Sequence, residues 1–359
     1  MIRVFLSGRH ARRCPLSYPA LTPLFAGHVE LTDQPSRADL YLFAHSLDLQ
    51  EAPPDLVRDW RLRQRPVVLL SEEPFWDTIW TGRPLDRWLC LPTGLGDLPV
   101  IQLNHMTSTI FDFDEIPYYL LTNHRFPVAY RVLFRRNATR SLQDWQAGFQ
   151  SRAVDVTFMF ERRPEPFHDV GWPEAGLTGL AAWRTRLAEQ QGMGRVERLG
   201  LRWQPGVPRQ TLVDWHLDKL VRLDNRARSL AAIENTHHPL YITEKLFDAF
   251  ACGSRPIYFA GPDHRIHRLG LPEASWLNLY GLDPETAAAR IARPFADAGF
   301  WQAWSAAQTT LARLWGDPGA VMRERLRLRR AILAELTALL DGGGHDIPMA
   351  RPDPEQEQP

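Results

Sequence analysis

Three short apolar runs, "IRVFLSG" (2–8), "ADLYLFAH" (38–45) and "RPVVLLSE" (65–72), alternate with helical or loop stretches, and each stops at a small or polar residue. Strands covered on both faces read as continuous apolar runs, so this pattern predicts buried parallel strands in a doubly wound α/β fold. In such sheets ligands lie beyond the carboxyl ends of the strands. His45 and Glu72, one at the end of each of two runs, therefore stand where chemistry is expected, although a histidine at a strand end also serves as a plain hydrogen-bonding group.

A second series starts at "VDVTFMF" (154–160) and continues through a helix at "LAAWRTRLAEQQG", a strand at "VERLG" and a helix around 211–222. It ends with the strand "RSLAAIEN", the helix "TEKLFDAFACG" and the strand "RPIYFAG". The second half is again α/β. Between the halves, residues 130–152 are polar and arginine-rich and read as the crossing, which gives domains at 1–145 and 152–315. Beyond them, "VMRERLRLRRAILAELTALL" places Met322, Leu326, Leu333, Leu336 and Leu340 on one helical stripe within 316–342, with five arginines mostly elsewhere. The tail, 343–359, is too polar and proline-rich to fold and is expected to be disordered.

Length agrees with two domains, since 359 residues exceed what one ordinary core organises. Lys plus Arg and Asp plus Glu each number 42, so no net field draws the chain to nucleic acid, and a charged ligand must be met by a local cluster. Three scattered cysteines, Cys14, Cys90 and Cys252, lack metal or redox spacing and are expected as buried free thiols in a reducing compartment. No signal peptide or membrane-spanning run is visible, so the expected location is cytoplasmic. The arginine-rich helix at 320–342 either lies on an anionic membrane surface or packs its leucines on the body of the protein.

The densest polar stretch is "ENTHHPLYITEKLFDAFACGSRPIYFAG", 234–261. A strand delivers Glu234 and Asn235 to its carboxyl end, and Thr243, Glu244 and Lys245 open the next helix. A helix start offers unpaired N–H groups and a positive dipole end, and Lys245 adds a full charge, a combination that suits a diphosphate. Glu244 is better matched to hydroxyl groups, and the pairing of the two points to a nucleotide sugar. An ordinary first helical turn, with its acid favoured by the dipole, is the competing explanation. Gly253 is placed to end the helix in a left-handed cap.

The string "IENT", "YITEKLFDAF", a glycine, "PIYF" and a Gly-Pro resembles the signature of glycosyltransferase family 10, the α1,3/α1,4-fucosyltransferases, over roughly residues 226–280. "ADLYLFAH" and "LLSEEP" are more weakly similar to the family's first half, and 75–150 shows little likeness. The resemblance implies a GT-B fold, two Rossmann-like domains facing one cleft, the second binding GDP-fucose and the first a glycan or glycoconjugate acceptor. It implies inverting transfer, with no metal or other cofactor required. Carried over by position, it puts Asn235, Tyr241, Glu244 and Lys245 in the donor site beside Glu234 and Thr243, with Lys245 on the diphosphate and Glu244 toward the sugar, as a catalytic group. Arg228 takes the place of a family lysine, and Arg184, with Arg186 close by, that of a donor-binding arginine. Glu72 matches the family's catalytic acid and becomes the general base, with Glu73 and His45 on the acceptor side. Ile233, Thr236, Arg228 and the doubled glutamate depart from the family pattern and leave another nucleotide sugar, or a sugar-nucleotide-binding protein without turnover, as alternatives. "FDFDE" (111–115) offers Asp112-x-Asp114, a metal-holding step in a different transferase architecture; as a polar turn before a strand at "YYLL" it needs no metal. The histidines at 237–238, 264 and 267 lack the spacing of a ligand set.

Overall fold

The computed structural model describes residues 1–205 and 211–342; the expected disordered tail, 343–359, lies outside them. The chain forms two compact units, Met1–Ile110 with Leu328 onward, and Phe111–Arg327.

The first unit is built on β1 (Ile2–Ser7), β2 (Val29–Thr32), β3 (Leu40–Phe43), β4 (Val67–Leu70), β5 (Trp88–Leu91) and β6 (Leu98–Leu103). The sheet order is β2-β1-β3-β4-β6-β5, parallel except for β5, which runs antiparallel to β6. β3 and β4 are buried at every residue, which is why they read as unbroken apolar runs. Helices α1 (Ser46–Gln50), α2 (Pro54–Arg63) and α3 (Pro74–Trp80) follow the strands, and Tyr41, Phe43, Leu56, Val57, Val67, Leu69 and Val100 fill one core.

Three more helices, α4 (Tyr118–Leu121), α5 (Arg125–Ala138) and α6 (Leu142–Ser151), belong to the second unit. Its main sheet joins β7 (Val154–Met159), β10 (Val196–Leu199), β11 (Ala227–Ala231), β13 (Arg255–Tyr258) and β14 (Leu277–Asn278) in the parallel order β10-β7-β11-β13-β14. A small antiparallel sheet orders β8 (Gly171–Trp172), β9 (Leu177–Gly179) and β12 (Thr236–His237) as β12-β9-β8. Around them lie α7 (Ala181–Gln190), α8 (Trp215–Leu223), α9 (Glu244–Ala251), α10 (Pro284–Ile291) and α11 (Ala298–Gly316). The last helix, α12 (Pro318–Asp341), contains the division between the units. Both units are thus Rossmann-like α/β structures with mainly parallel sheets, as the sequence predicts.

Three local expectations are corrected. Residues 130–152 do not cross between units: α5 buries Phe126, Tyr130 and Phe134 at four-residue intervals, and α6 buries Trp145 and Phe149. The arginines that hid this pattern are paired on other faces, Arg136 with Asp224 at 2.7 Å for example. The chain therefore divides at Ile110, ahead of the expected 145. "YYLL" is the short helix α4, started after Pro117, and not a strand. On α12 the buried positions are Ala320, Leu328, Ile332 and Leu336, with Glu324 and Arg325, whereas Met322 is exposed. No helix among the described residues is long and apolar enough to cross a membrane. Cys14 and Cys252 are buried free thiols as expected, and burial pushes the Cys14 thiol up to about 12; Cys90 is exposed, because it sits on the outer strand β5.

Glu324 explains the "FDFDE" turn. Its Oε1 accepts the backbone N–H groups of Asp114 (2.7 Å), Glu115 (2.6 Å) and Ile116 (3.3 Å), while Oε2 takes Arg327 Nε at 3.1 Å. Asp114 instead meets Arg265 at 3.2 Å and is mostly exposed, on the outside of an anion-capped turn, while Asp112 is half-buried. Replacing Glu324 with Ala strands three amides, and the expected loss is roughly 2–4 kcal/mol in urea denaturation. A loss below about 0.5 kcal/mol, the range of ordinary surface substitutions, contradicts this account.

Candidate functional site

In the second unit the site grows from the carboxyl end of β11. The chain leaves the sheet through Ala232 and Ile233 and turns at Glu234, whose carboxylate is 3% exposed. Its Oε1 accepts the Thr243 N–H at 2.8 Å and the Thr243 hydroxyl at 2.8 Å; Oε2 lies 2.7 Å from Lys245 Nζ. Lys245 Nζ also reaches Thr243 Oγ1 at 2.8 Å. Burial pushes the Glu234 carboxyl up, and Lys245 pulls it back. One buried acid thus ties the strand end to the first turn of α9. At its other end α9 closes as expected: Gly253, at φ +75°, sends its N–H to Phe250 O (3.0 Å), and Ser254 sends its own to Ala249 O (2.9 Å).

Asn235 fastens the second wall. Its carbonyl accepts Leu180 N–H at 2.8 Å, which sets α7 against the site. From the first turn of α7, Arg184 projects into the interior, where Nη1 donates to Ile233 O at 3.0 Å and the guanidinium lies 4.7 Å over the Phe160 ring. Burial lowers the Arg184 pKa to about 10, with Arg163 adding to the effect and Glu234 and Tyr241 opposing it. Buried polar atoms here without a protein hydrogen-bond partner among the described residues include Arg184 Nε, Asn235 Oδ1, Thr236 Oγ1 and the Tyr258 hydroxyl. Buried polar groups are paired in the great majority of native structures, so unmet atoms beside this turn are candidate contacts for a ligand.

Behind α9 lies a charged layer that sequence reasoning missed. Glu244 is 2% exposed, its Oε1 3.4 Å from Lys219 Nζ and 3.7 Å from Lys245 Nζ. Lys219 Nζ is 2.7 Å from Asp248 Oδ2, and Asp248 Oδ1 meets His216 Nε2 and the Tyr130 hydroxyl, each at 2.8 Å. Burial works against the charged form of both Lys219 and Asp248, yet each holds the other: Lys219 is raised and Asp248 lowered. The available signal was the i, i+4 spacing of Glu244 and Asp248 on one helical face, because two acids so placed need a shared cation.

Set against the expectations, Arg184, Glu234, Asn235, Tyr241, Thr243, Glu244 and Lys245 do gather at the end of β11. Lys245 is matched to Glu234, and Glu244 is turned inward between two ammonium groups instead of lying open to a sugar. Arg228 does not join them. It stands at the amino end of β11, six residues and roughly 20 Å of extended chain from Glu234. There it donates to Phe149 O at 2.9 Å and pairs with Asp155 at 3.4 Å. Arg186 is committed at the surface to Asp169, 2.9 Å away, which leaves Arg184 as the inward arginine.

The first unit assembles its own cluster beyond β1, β3 and β4. Glu72 is 6% exposed; its Oε1 accepts the Tyr18 hydroxyl at 2.6 Å and lies 3.8 Å from Arg13 Nε, while Arg13 Nη2 pairs with Glu73. His45 is the N-cap of α1, its Nδ1 accepting Leu47 N–H at 3.1 Å, and burial lowers its pKa to about 4. Its ring is therefore a neutral structural cap.

Among the described residues no group of three or more His, Cys, Asp or Glu side chains is placed to hold a metal ion. The histidines near the second site are engaged in backbone contacts: His237 Nδ1 meets Gly176 O at 2.8 Å and Nε2 accepts Gly261 N–H at 2.9 Å, and His264 Nδ1 accepts Ile266 N–H at 3.2 Å. Burial lowers His238 to about 4 and His264 to about 3. Since these folded values lie below the unfolded one of about 6.5, their contribution is complete at neutral pH and above and is lost as the pH falls from 6.5 toward 3–4. Between pH 7 and pH 5 each is expected to cost about 2 kcal/mol, read as a lower guanidinium midpoint. His264→Asn is expected to remove close to one proton from that pH dependence; an unchanged slope contradicts the assignment.

No family model and no curated protein matches the chain. Three solved structures of α1,3-fucosyltransferase align with it, one with GDP-fucose, one described by the enzyme alone and one with GDP. Each is 13% identical, with 95% of this chain and 90% of the other covered, at TM-scores of 0.44, 0.44 and 0.43 respectively. A superposition this loose carries no inference about chemistry.

Proposed function

We propose that the chain is a glycosyltransferase whose second unit binds a nucleoside diphosphate sugar and whose first unit holds the acceptor hydroxyl. The observation that carries this reading is that buried Arg184 Nε and Asn235 Oδ1 are unmet beside the first turn of α9. A guanidinium offers a planar fork suited to a phosphate, and the helix start adds oriented N–H groups. Lys245 Nζ lies 2.7 Å from Glu234 Oε2 and 2.8 Å from Thr243 Oγ1 at that helix start and supplies the cation for a diphosphate oxygen in this reading.

The motif at 234–261 supports GDP-fucose as the donor, with another nucleotide sugar as the alternative. Transfer proceeds with inversion: the acceptor oxygen attacks the anomeric carbon opposite the departing GDP and gives up its proton to a base of the first unit. Glu72 belongs to that unit's cluster, and Trp76, 6.3 Å from His45 and 6.1 Å from Trp80 by ring centroids, adds aromatic surface of the kind sugars stack on. The reading needs no metal. A protein that binds GDP without turnover is the outcome that replaces it.

A thermal-shift screen of GDP-fucose, GDP-mannose and uridine nucleotide sugars tests the reading, because a ligand at a hundred times its Kd stabilises by about 2.7 kcal/mol. A clear rise with a GDP-sugar is expected, together with release of GDP in the presence of glycan acceptors. Arg184→Met should leave the fold intact and weaken GDP binding at least tenfold, since it removes a charge-assisted contact of about 1.5–3 kcal/mol. Undiminished GDP affinity in that variant, or no stabilisation by any nucleotide sugar, contradicts the proposal.

A further inference from the structure

The loop after β1 carries a histidine that the motif reading passes over. His10 is held by Asp48 through two bonds, backbone N–H to Oδ2 at 2.9 Å and ring Nδ1 to Oδ1 at 2.9 Å. Asp48 is 3% exposed, whereas the His10 side chain keeps 35% of its surface open. The approach depends on Gly8: at φ +103°, a Cβ there would lie 2.2 Å from Asp48 Oδ2, so only glycine lets the loop close over the carboxylate. The His10 ring stacks on His45, with centroids 4.5 Å apart and planes inclined by 29°. Carboxylate, imidazole and stacking partner therefore come from the ends of β1 and β3, next to the Glu72 cluster at the end of β4.

A carboxylate only accepts hydrogen bonds, so its contact at Nδ1 places the ring proton there and leaves Nε2 as the basic nitrogen. Glu72, by contrast, is buried and already engaged: its Oε1 accepts the Tyr18 hydroxyl and lies 3.8 Å from Arg13 Nε. We propose that His10, oriented by Asp48, is the catalytic base that takes the proton of the acceptor hydroxyl, with Glu72 positioning the acceptor. This rests on the glycosyl-transfer reading. In the step, the O–H proton passes to Nε2 and the oxygen lone pair forms the bond to the anomeric carbon. The C–O bond to the diphosphate breaks, and its electron pair leaves on GDP. Asp48 stabilises the imidazolium, which then returns its proton to solvent. The charged and titratable groups on the neighbouring elements are His45, the N-cap of α1, Asp48 within α1, Glu72 and Glu73 beyond β4, and Arg9 and Arg13 from its own loop, Arg9 being paired with Glu51 at 2.9 Å.

The test uses the full chain with GDP-fucose, following both transfer to a glycan panel and hydrolysis of the donor by water. Absence of both in the wild type defeats the glycosyl-transfer reading and this assignment with it. With wild-type turnover in hand, His10→Gln is expected to lower kcat by at least a hundredfold, the usual range for a general base, with donor KM changed less than twofold. It should also abolish the acid limb of the pH–rate profile. Asp48→Asn is expected to lower kcat at least tenfold, and nitrogen-15 NMR should show the His10 ring proton on Nδ1 in the wild type and moved from it in the variant. If His10→Gln retains the wild-type pH profile and more than a third of kcat while Glu72→Gln loses both, or if the wild-type ring proton sits on Nε2, the assignment is overturned. Donor-induced stabilisation of His10→Gln equal to that of the wild type shows that the variant is folded.

Discussion

The Glu234 carboxylate is the contact on which the second site depends. It lies inside the protein, yet it accepts from Thr243 twice and from Lys245 once, and those bonds fix how the loop from β11 re-enters at α9. A buried charge of this kind is tolerated only when its partners are close and correctly aimed. The rest of the wall follows, because the same turn presents the Asn235 carbonyl to α7 and so brings Arg184 inward. Behind it, Lys219 shared between Glu244 and Asp248 keeps the start of α9 from carrying two uncompensated acids.

The first unit solves a similar problem with different residues. Three adjacent parallel strands, β1, β3 and β4, end side by side, and their loops bring His10, Asp48 and Glu72 together from positions up to 62 residues apart. Each carboxylate there has a specific cation, hydroxyl or imidazole contact. Rigid strand ends supply the precision, and the loops supply the chemistry.

How far sequence carried the reading depended on whether each signal was local. β3 and β4 were legible because parallel strands buried on both faces leave continuous apolar runs, and the Glu234 to Lys245 stretch because strand end, loop and helix start are contiguous. α5 was not, since its stripe of Phe126, Tyr130 and Phe134 is interrupted by arginines whose partners, such as Asp224, are distant in the chain. Arg228 was misplaced by matching residue type without following strand direction, which puts it at the amino end of β11, opposite the site. His10 with Asp48, and Lys219 with Glu244, are pairs 38 and 25 residues apart, and only the sheet order brings them into contact.

Hydrogen exchange at the amides of Thr243 to Leu246 and of Leu180 to Arg184, followed with and without GDP, examines the central claim most directly. The account predicts slower exchange at both segments when GDP is bound, because the diphosphate settles against the start of α9 and the inward arginine of α7. Saturating GDP that leaves both segments unchanged, or that protects only the amino end of β11 around Arg228, would contradict it.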